Sequence, residues 1–183
     1  MRSGFFNSNI IGTDEAGMPL FDRAEQADFF ARYFASFVKN GVLADSFVLS
    51  HNNLSLNISG GAGFVNGYFA WENADTQFSL NSAYGKAYRV ALQLNLAERQ
   101  IALKLLSSAN PPAPERSGDI YELILYTINV AQGQAELAEE DITDNRQDSY
   151  LCGLLGLDNP KIYSGSEEPD DFFGEDGDIY IQY

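Results

Sequence analysis

Between Asp22 and Gly41 apolar residues recur at helical spacing. Ala27, Phe30, Phe34, Phe37 and Val38 form one stripe, while Asp28, Arg32 and Ser36 step by four along the other side. The pattern predicts one long amphipathic helix. Asp22, followed three residues later by Glu25, is an acidic capping box in which each side chain reaches a backbone N–H left unpaired by the first turn. Asn40-Gly41 supplies the stop. Phe29 and Tyr33 widen the apolar stripe beyond what one packing partner needs. With Phe37 they mark a face for a second surface, so polar substitution at Phe29 or Tyr33 is expected to disrupt an oligomer, and substitution at Phe30 or Phe34 to unfold the domain.

Ahead of the helix, residues 1–21 interrupt short apolar groups (Phe5-Phe6, Ile10-Ile11, Leu20-Phe21) with Gly4, Gly12, Gly17 and Pro19, which reads as an extended arm with room for a short strand. Large apolar side chains gain roughly 1.5–3 kcal/mol each on full burial. The arm is therefore expected to lie on its own domain or on a neighbour, with Phe5 and Phe6 as contact residues.

After the helix the period falls to two. Leu54, Leu56 and Ile58 alternate with polar residues, and Gly63-Phe64-Val65 and Tyr68-Phe69-Ala70-Trp71 flank Asn66-Gly67, a strong hairpin signal because both turn positions need positive φ. A short strand follows at Gln77–Leu80. Tyr88, Val90, Leu92, Leu94 and Leu96 then share one face, Ala97–Gln100 turns the chain, and Ile101, Leu103 and Leu105 return. This is the pattern of an antiparallel meander with one buried face. The prolines of Asn110–Gly118 mark a loop, since they lack the N–H that a ladder needs. Tyr121-Glu122-Leu123 reads as a short helical turn leading into a strand at Tyr126–Val130, and Ala135–Asp141 as one or two helical turns. Beyond Leu157 the composition shifts to Gly, Pro, Ser and acids, with a last strand at Ile179–Tyr183. The fold class expected is α+β: an arm (1–21), a long helix packed with an antiparallel sheet or sandwich (22–157), and a small acidic C-terminal module (158–183).

Composition adds constraints. The chain has 183 residues, 45% of them apolar, enough for one well-buried domain. No apolar run is long enough for a membrane span or a signal peptide, so the chain reads as soluble, without membrane insertion. The single Cys152 excludes an intrachain disulfide. The net charge is −15, and residues 134–183 carry fourteen acids against two bases, which is −12 of it. With no basic cluster anywhere, this acidity disfavours nucleic acid and anionic membranes as partners. It reads as a solubilising surface, with a basic partner or a cation as the alternative.

Candidate chemistry is sparse. Catalytic triads and zinc sites need several imidazoles or thiolates, and this chain has one His and one Cys. His51 reads as a polar-loop residue and Cys152 as a small buried one. The acids of Asp170–Asp178 lack the spacing of a calcium loop. Gly61-x-Gly63 lacks the third glycine and the following helix of a phosphate cradle. No catalytic residue, cofactor or metal site is expected, and the chain is read as a non-enzyme. On the Asn-Gly hairpin, alternation puts Tyr68 with Ala70 on one face and Phe69 with Trp71 on the other. These rings are read as core, and the alternative makes Tyr68 and Trp71 a platform for sugar rings.

Several segments resemble tail and baseplate proteins of phages infecting Gram-positive and gut bacteria, in particular the N-terminal region of receptor-binding or upper-baseplate proteins. The similarity runs through Gly4–Ser8, the helix Ala27–Val42, Gly63–Tyr68, Asp119–Leu123, Ile142–Arg146, Cys152-Gly153 and Gly177–Ile181, and its specificity lies in the order of these motifs. A coiled coil, shaft or receptor-binding head often follows in such proteins, whereas this sequence stops at Tyr183. The resemblance thus implies an anchoring part of a virion tail or baseplate, made in the host cytoplasm. It would self-associate as a homotrimer and join fibre or receptor-binding proteins to the tail. The alternative is a carbohydrate-binding module contacting host glycans.

Overall fold

The structure, a computed structural model, describes residues 10–21, 27–108, 113–155, 162–167 and 179–182. In chain order the elements are β1 (Ile10–Thr13), β2 (Pro19–Phe21), α1 (Ala27–Ala35), β3 (Gly41–Val42), β4 (Leu49–Asn52), β5 (Ser55–Ile58), β6 (Gly61–Val65), β7 (Tyr68–Glu72), β8 (Thr76–Ser79), β9 (Lys86–Asn95), β10 (Gln100–Ser108), β11 (Arg116–Ser117), β12 (Ile120–Val130), a 3-10 turn (Glu139–Asp141), β13 (Ile142–Asp144), β14 (Ile162–Gly165) and β15 (Ile179–Gln182).

Three sheets form the core. The largest has the order β10-β9-β12-β11, with β13 also paired to β12, and two three-stranded sheets, β3-β6-β7 and β4-β5-β8, contribute to the same core. Long apolar alternation makes β9 the centre. Its Tyr88, Val90, Leu92 and Leu94 point inward opposite Leu123, Tyr126 and Ile128 of β12 on one side and Leu103 and Leu105 of β10 on the other. A bulge between Ile124 and Tyr126 restores the inward phase of β12 after one extra residue. From the smaller sheets Val42, Leu56, Ile58, Val65 and Ala70 join the same apolar cluster. Burying these side chains stabilises the fold by about 25 cal/mol per Å² of apolar surface.

The expected α+β class with a long helix is incorrect: of the described residues half are strand and 8% helical, and among them no long amphipathic helix forms. Among the described residues α1 is the one α-helix, nine residues long, ending five residues before Asn40. Several contacts stop it. The Ser36 hydroxyl bonds back to the Tyr33 carbonyl (2.7 Å), which competes with the helical ladder. Asn40 is recruited by other parts of the chain: its side-chain oxygen accepts from the Asn66 N–H and its amide donates to the Tyr121 hydroxyl (3.0 Å). The capping box at Asp22 and Glu25 lies outside the described residues.

Other departures share one cause, partner strands that sequence periodicity does not specify. Tyr121-Glu122-Leu123 is strand throughout, because it pairs in register with Leu94-Gln93-Leu92. The meander is split: β8 joins β5, not β9. The arm contains the hairpin β1–β2, and β15 finds a parallel partner in β14, just past the expected domain boundary. Ala135–Asp141 contributes only the 3-10 turn.

Candidate functional site

The sequence marks Phe5, Phe6, Phe29, Tyr33 and Phe37 as interface residues and Tyr68 and Trp71 as sugar-stacking residues. Phe5 and Phe6 lie outside the described residues. Tyr33 and Phe37 are 44% and 56% exposed, and their rings meet edge-on at 5.0 Å. Phe29 is half-buried, whereas Phe30, assigned to the core by helical spacing, is 38% exposed. The short helix packs through Ala31 and Phe34, with Phe34 resting on Phe64 of β6 at 5.8 Å. Periodicity identifies the stripe; the packing partner selects which part of it is covered.

From Phe64 the aromatic contacts continue to Phe69 on β7, its cross-strand partner, at 5.1 Å. Trp71, two residues along the same face, is 69% exposed and donates its indole N–H to Asn73 (2.8 Å), while Phe69 is 57% exposed. Tyr33, Phe37, Phe34, Phe64 and Phe69 thus form a connected run of rings over the outer face of β6–β7, extended by Trp71. Tyr68 is on the inner face, packed against the core. It therefore does not share a platform with Trp71. Phe69 is the neighbour missing from the sugar-stacking pair, although strand alternation already placed it beside Trp71.

Beside this strip lies a groove of about 790 Å³. Four consecutive residues, Tyr68 to Trp71, line one side and Gln100 and Ile101 the other, with Leu94 and Leu96 also reaching it. A smaller extension of about 210 Å³ continues past Glu72 and Thr76 on one side and Ala102 and Leu103 on the other. Because consecutive residues of both strands line it, the groove is bordered by strand edges. Among the described residues β7 pairs only with β6, and β10 only with β9. Arg99 is the cation of this lining and Asp28 and Glu72 are its acids.

The motifs at 40–42, 64–68, 119–123, 142–146 and 152–153 converge in space as structural joints. Gly41 packs so closely on Gly153 that an added Cβ would overlap the Gly153 carbonyl, and the Val42 N–H donates to that same carbonyl (3.0 Å). Gly67, at φ +81°, lies directly under the Ala31 carbonyl of α1. Arg116 donates to the Tyr150 carbonyl (2.6 Å) and stands over the rings of Tyr121 and Tyr150. Arg146 pairs with Asp144 (2.7 Å), donates to the Ser46 carbonyl and covers the Tyr126 ring at 5.4 Å. A cleft of about 830 Å³ opens beside these joints, bordered by Lys39, Arg116, Gln147 and Ser149. Arg116 contributes to it mainly as a tie between loops.

His51 belongs to β4 and not to a loop, and its Nδ1 is buried without a hydrogen-bond partner among the described residues. Cys152 is buried, and that burial pushes its thiol up to about 12. Among the described residues no group of three His, Cys, Asp or Glu side chains converges for a metal, and no helix is long and apolar enough to cross a membrane. The acids of Asp170–Asp178 lie outside the described residues. No protein-family model, no curated protein and no solved structure matches the chain.

Proposed function

We propose that this protein is a structural, self-associating component of a phage tail or baseplate, a homotrimeric adaptor that joins fibre or receptor-binding parts to the tail. The observation that carries the self-association is the exposed aromatic strip from Tyr33 and Phe37 across Phe69 to Trp71. Contiguous apolar surface rimmed by polar residues marks an interaction site, whereas isolated exposed apolar residues do not. The order of motifs that resemble those of tail proteins supports the virion setting.

Light scattering at micromolar concentration tests it. The expected mass is a multiple of the 20.2 kDa protomer, three for the trimer. Tyr33→Asp with Phe37→Asp should give monomers with an unchanged circular dichroism spectrum. A clean wild-type monomer sinks the self-association. For the virion role, antibody labelling should decorate the tail of the phage encoding the chain, and labelling confined to the capsid or absent from particles rejects it.

A second reading rests on Phe69 and Trp71 standing side by side at the mouth of the groove, an arrangement suited to stacking on sugar rings. Trp71→Ala, folded but no longer retained on a glycan array that holds the wild type, would favour this reading. Equal retention of both proteins would reject it.

A further inference from the structure

The groove between β7 and β10 is a gap in the wall of the core. Ile101, Leu103 and Leu105 belong to the apolar cluster, yet each remains only half-buried. Both bordering strands present backbone N–H and C=O groups that no neighbouring strand pairs among the described residues. Natural sheets cap such edges with charges, prolines or bulges. In β10 the only charge is Lys104, and β7 has none before Glu72. Apolar floor and unpaired edges together fit an added strand, which draws affinity from main-chain hydrogen bonds and specificity from alternate side chains.

The hairpin β1–β2 has the matching need. All of its residues from Ile10 to Leu20 are exposed, with Ile10, Ile11 and Met18 at 65%, 67% and 63%. Its ladder shifts register between Ile10 and Gly12, and among the described residues it has no covered face. Its β1 and β2 have four and three residues, within the spans of the nine-residue β10 and the five-residue β7. Its charges, Asp14 and Glu15, are at the tip, clear of its apolar residues, and the groove lining carries Arg99 together with Asp28 and Glu72. Trp71 belongs both to the groove and to the aromatic strip, so a hairpin seated here would continue that surface.

We propose that the groove between β7 and β10 receives the β1–β2 hairpin of a second copy, with β1 against the free edge of β10. Donor and acceptor are different patches, so the contact is heterologous and forms a ring where its rotation closes, of which a trimer is one case. This inference rests on the self-association proposed above and names the segment that mediates it.

Disulfide trapping between separately substituted chains tests it. Ile11→Cys in one population and Ala102→Cys in another are mixed at micromolar concentration and mildly oxidised. The natural Cys152 is buried and protonated, so it adds no background. A seated contact has millimolar effective concentration, so trapping should be on the order of a hundredfold faster than with Ser117→Cys, exposed on β11, three strands across the sheet from Gln100. Ile10→Asp with Ile11→Asp should abolish association and leave the circular dichroism spectrum unchanged. If the wild type associates but the Ala102 pair traps no faster than the Ser117 pair, the hairpin contact is wrong and self-association stands. If the wild type is a monomer, both proposals fall. If one chain carrying both cysteines closes on itself and the mixed chains do not link, the hairpin serves its own groove and the second copy is excluded.

Discussion

Replacing Tyr126 by Phe removes one oxygen from the core and leaves the ring in place. That oxygen joins two elements: it donates to the Phe47 carbonyl (3.1 Å) and accepts from the Leu49 N–H (3.1 Å). Phe47 is held at φ +55° with its side chain fully buried, a backbone state that costs a non-glycine residue roughly 1–2 kcal/mol. The phenol therefore anchors a strained turn. Each buried polar group left without a partner costs about 1–3 kcal/mol, and relaxation of Phe47 returns part of that strain. The net loss should be about 2–4 kcal/mol. At a urea slope of about 2 kcal/mol per molar, the unfolding midpoint should fall by roughly 1–2 M. Both proteins are compared at one concentration, because association shifts apparent stability. The alkaline limb gives an independent check. Burial pushes the Tyr126 phenol up, more than the Leu49 N–H and the Arg146 charge pull it down. A raised folded value stabilises the protein fully below the ordinary tyrosine value near about 10 and loses that contribution as pH rises through the folded value. Wild type should thus converge towards Tyr126→Phe at high pH. A loss below about 0.5 kcal/mol at neutral pH, or a constant gap across the alkaline range, would refute this account of the anchor.

Gly67→Ala should cost more than the roughly 1 kcal/mol of a left-handed residue, since its Cβ would also approach the Ala31 carbonyl carbon to 2.7 Å. A loss of helical signal at 222 nm with the sheet retained would show α1 lifting off the turn, and an unchanged melting curve would contradict the close approach. Hydrogen bonds and charge from Arg146 outweigh burial, the largest influence and one that acts upward, and hold the Asp144 carboxyl below its ordinary value. Asp144 is 44% exposed, so its pairing should contribute under about 1 kcal/mol. That contribution is full above the ordinary value near about 4 and is lost as pH falls through the folded value, so the gap between wild type and Asp144→Asn in acid titrations should close from neutral pH downward. A gap that widens in acid would reverse the assignment. Cys152 should react with a thiol reagent at pH 8 only at the rate of unfolding, and rapid stoichiometric labelling of native protein would show that its burial is wrong.

The sequence by itself determined most of the frame. Period-two alternation in Tyr88–Leu96 and Ile101–Leu105 and the Asn66-Gly67 turn specify strands and a hairpin, because side-chain direction and left-handed φ are local properties. Phe69 beside Trp71 was legible for the same reason. The tertiary structure decided what local chemistry leaves open. Tyr121–Leu123 became strand because β9 offered an edge, and α1 stopped at Ala35 because Asn40 was needed by Asn66 and Tyr121. Phe30 was left exposed because Ala31 and Phe34 took the short helix's contacts with the sheet. The groove could not be read from sequence at all. Its sides, Tyr68–Glu72 and Gln100–Leu103, lie some thirty residues apart, and an edge exists only once every strand has chosen its neighbours. Periodicity reports which face of an element is apolar; only the fold decides which of those faces meets another and which is left for a partner.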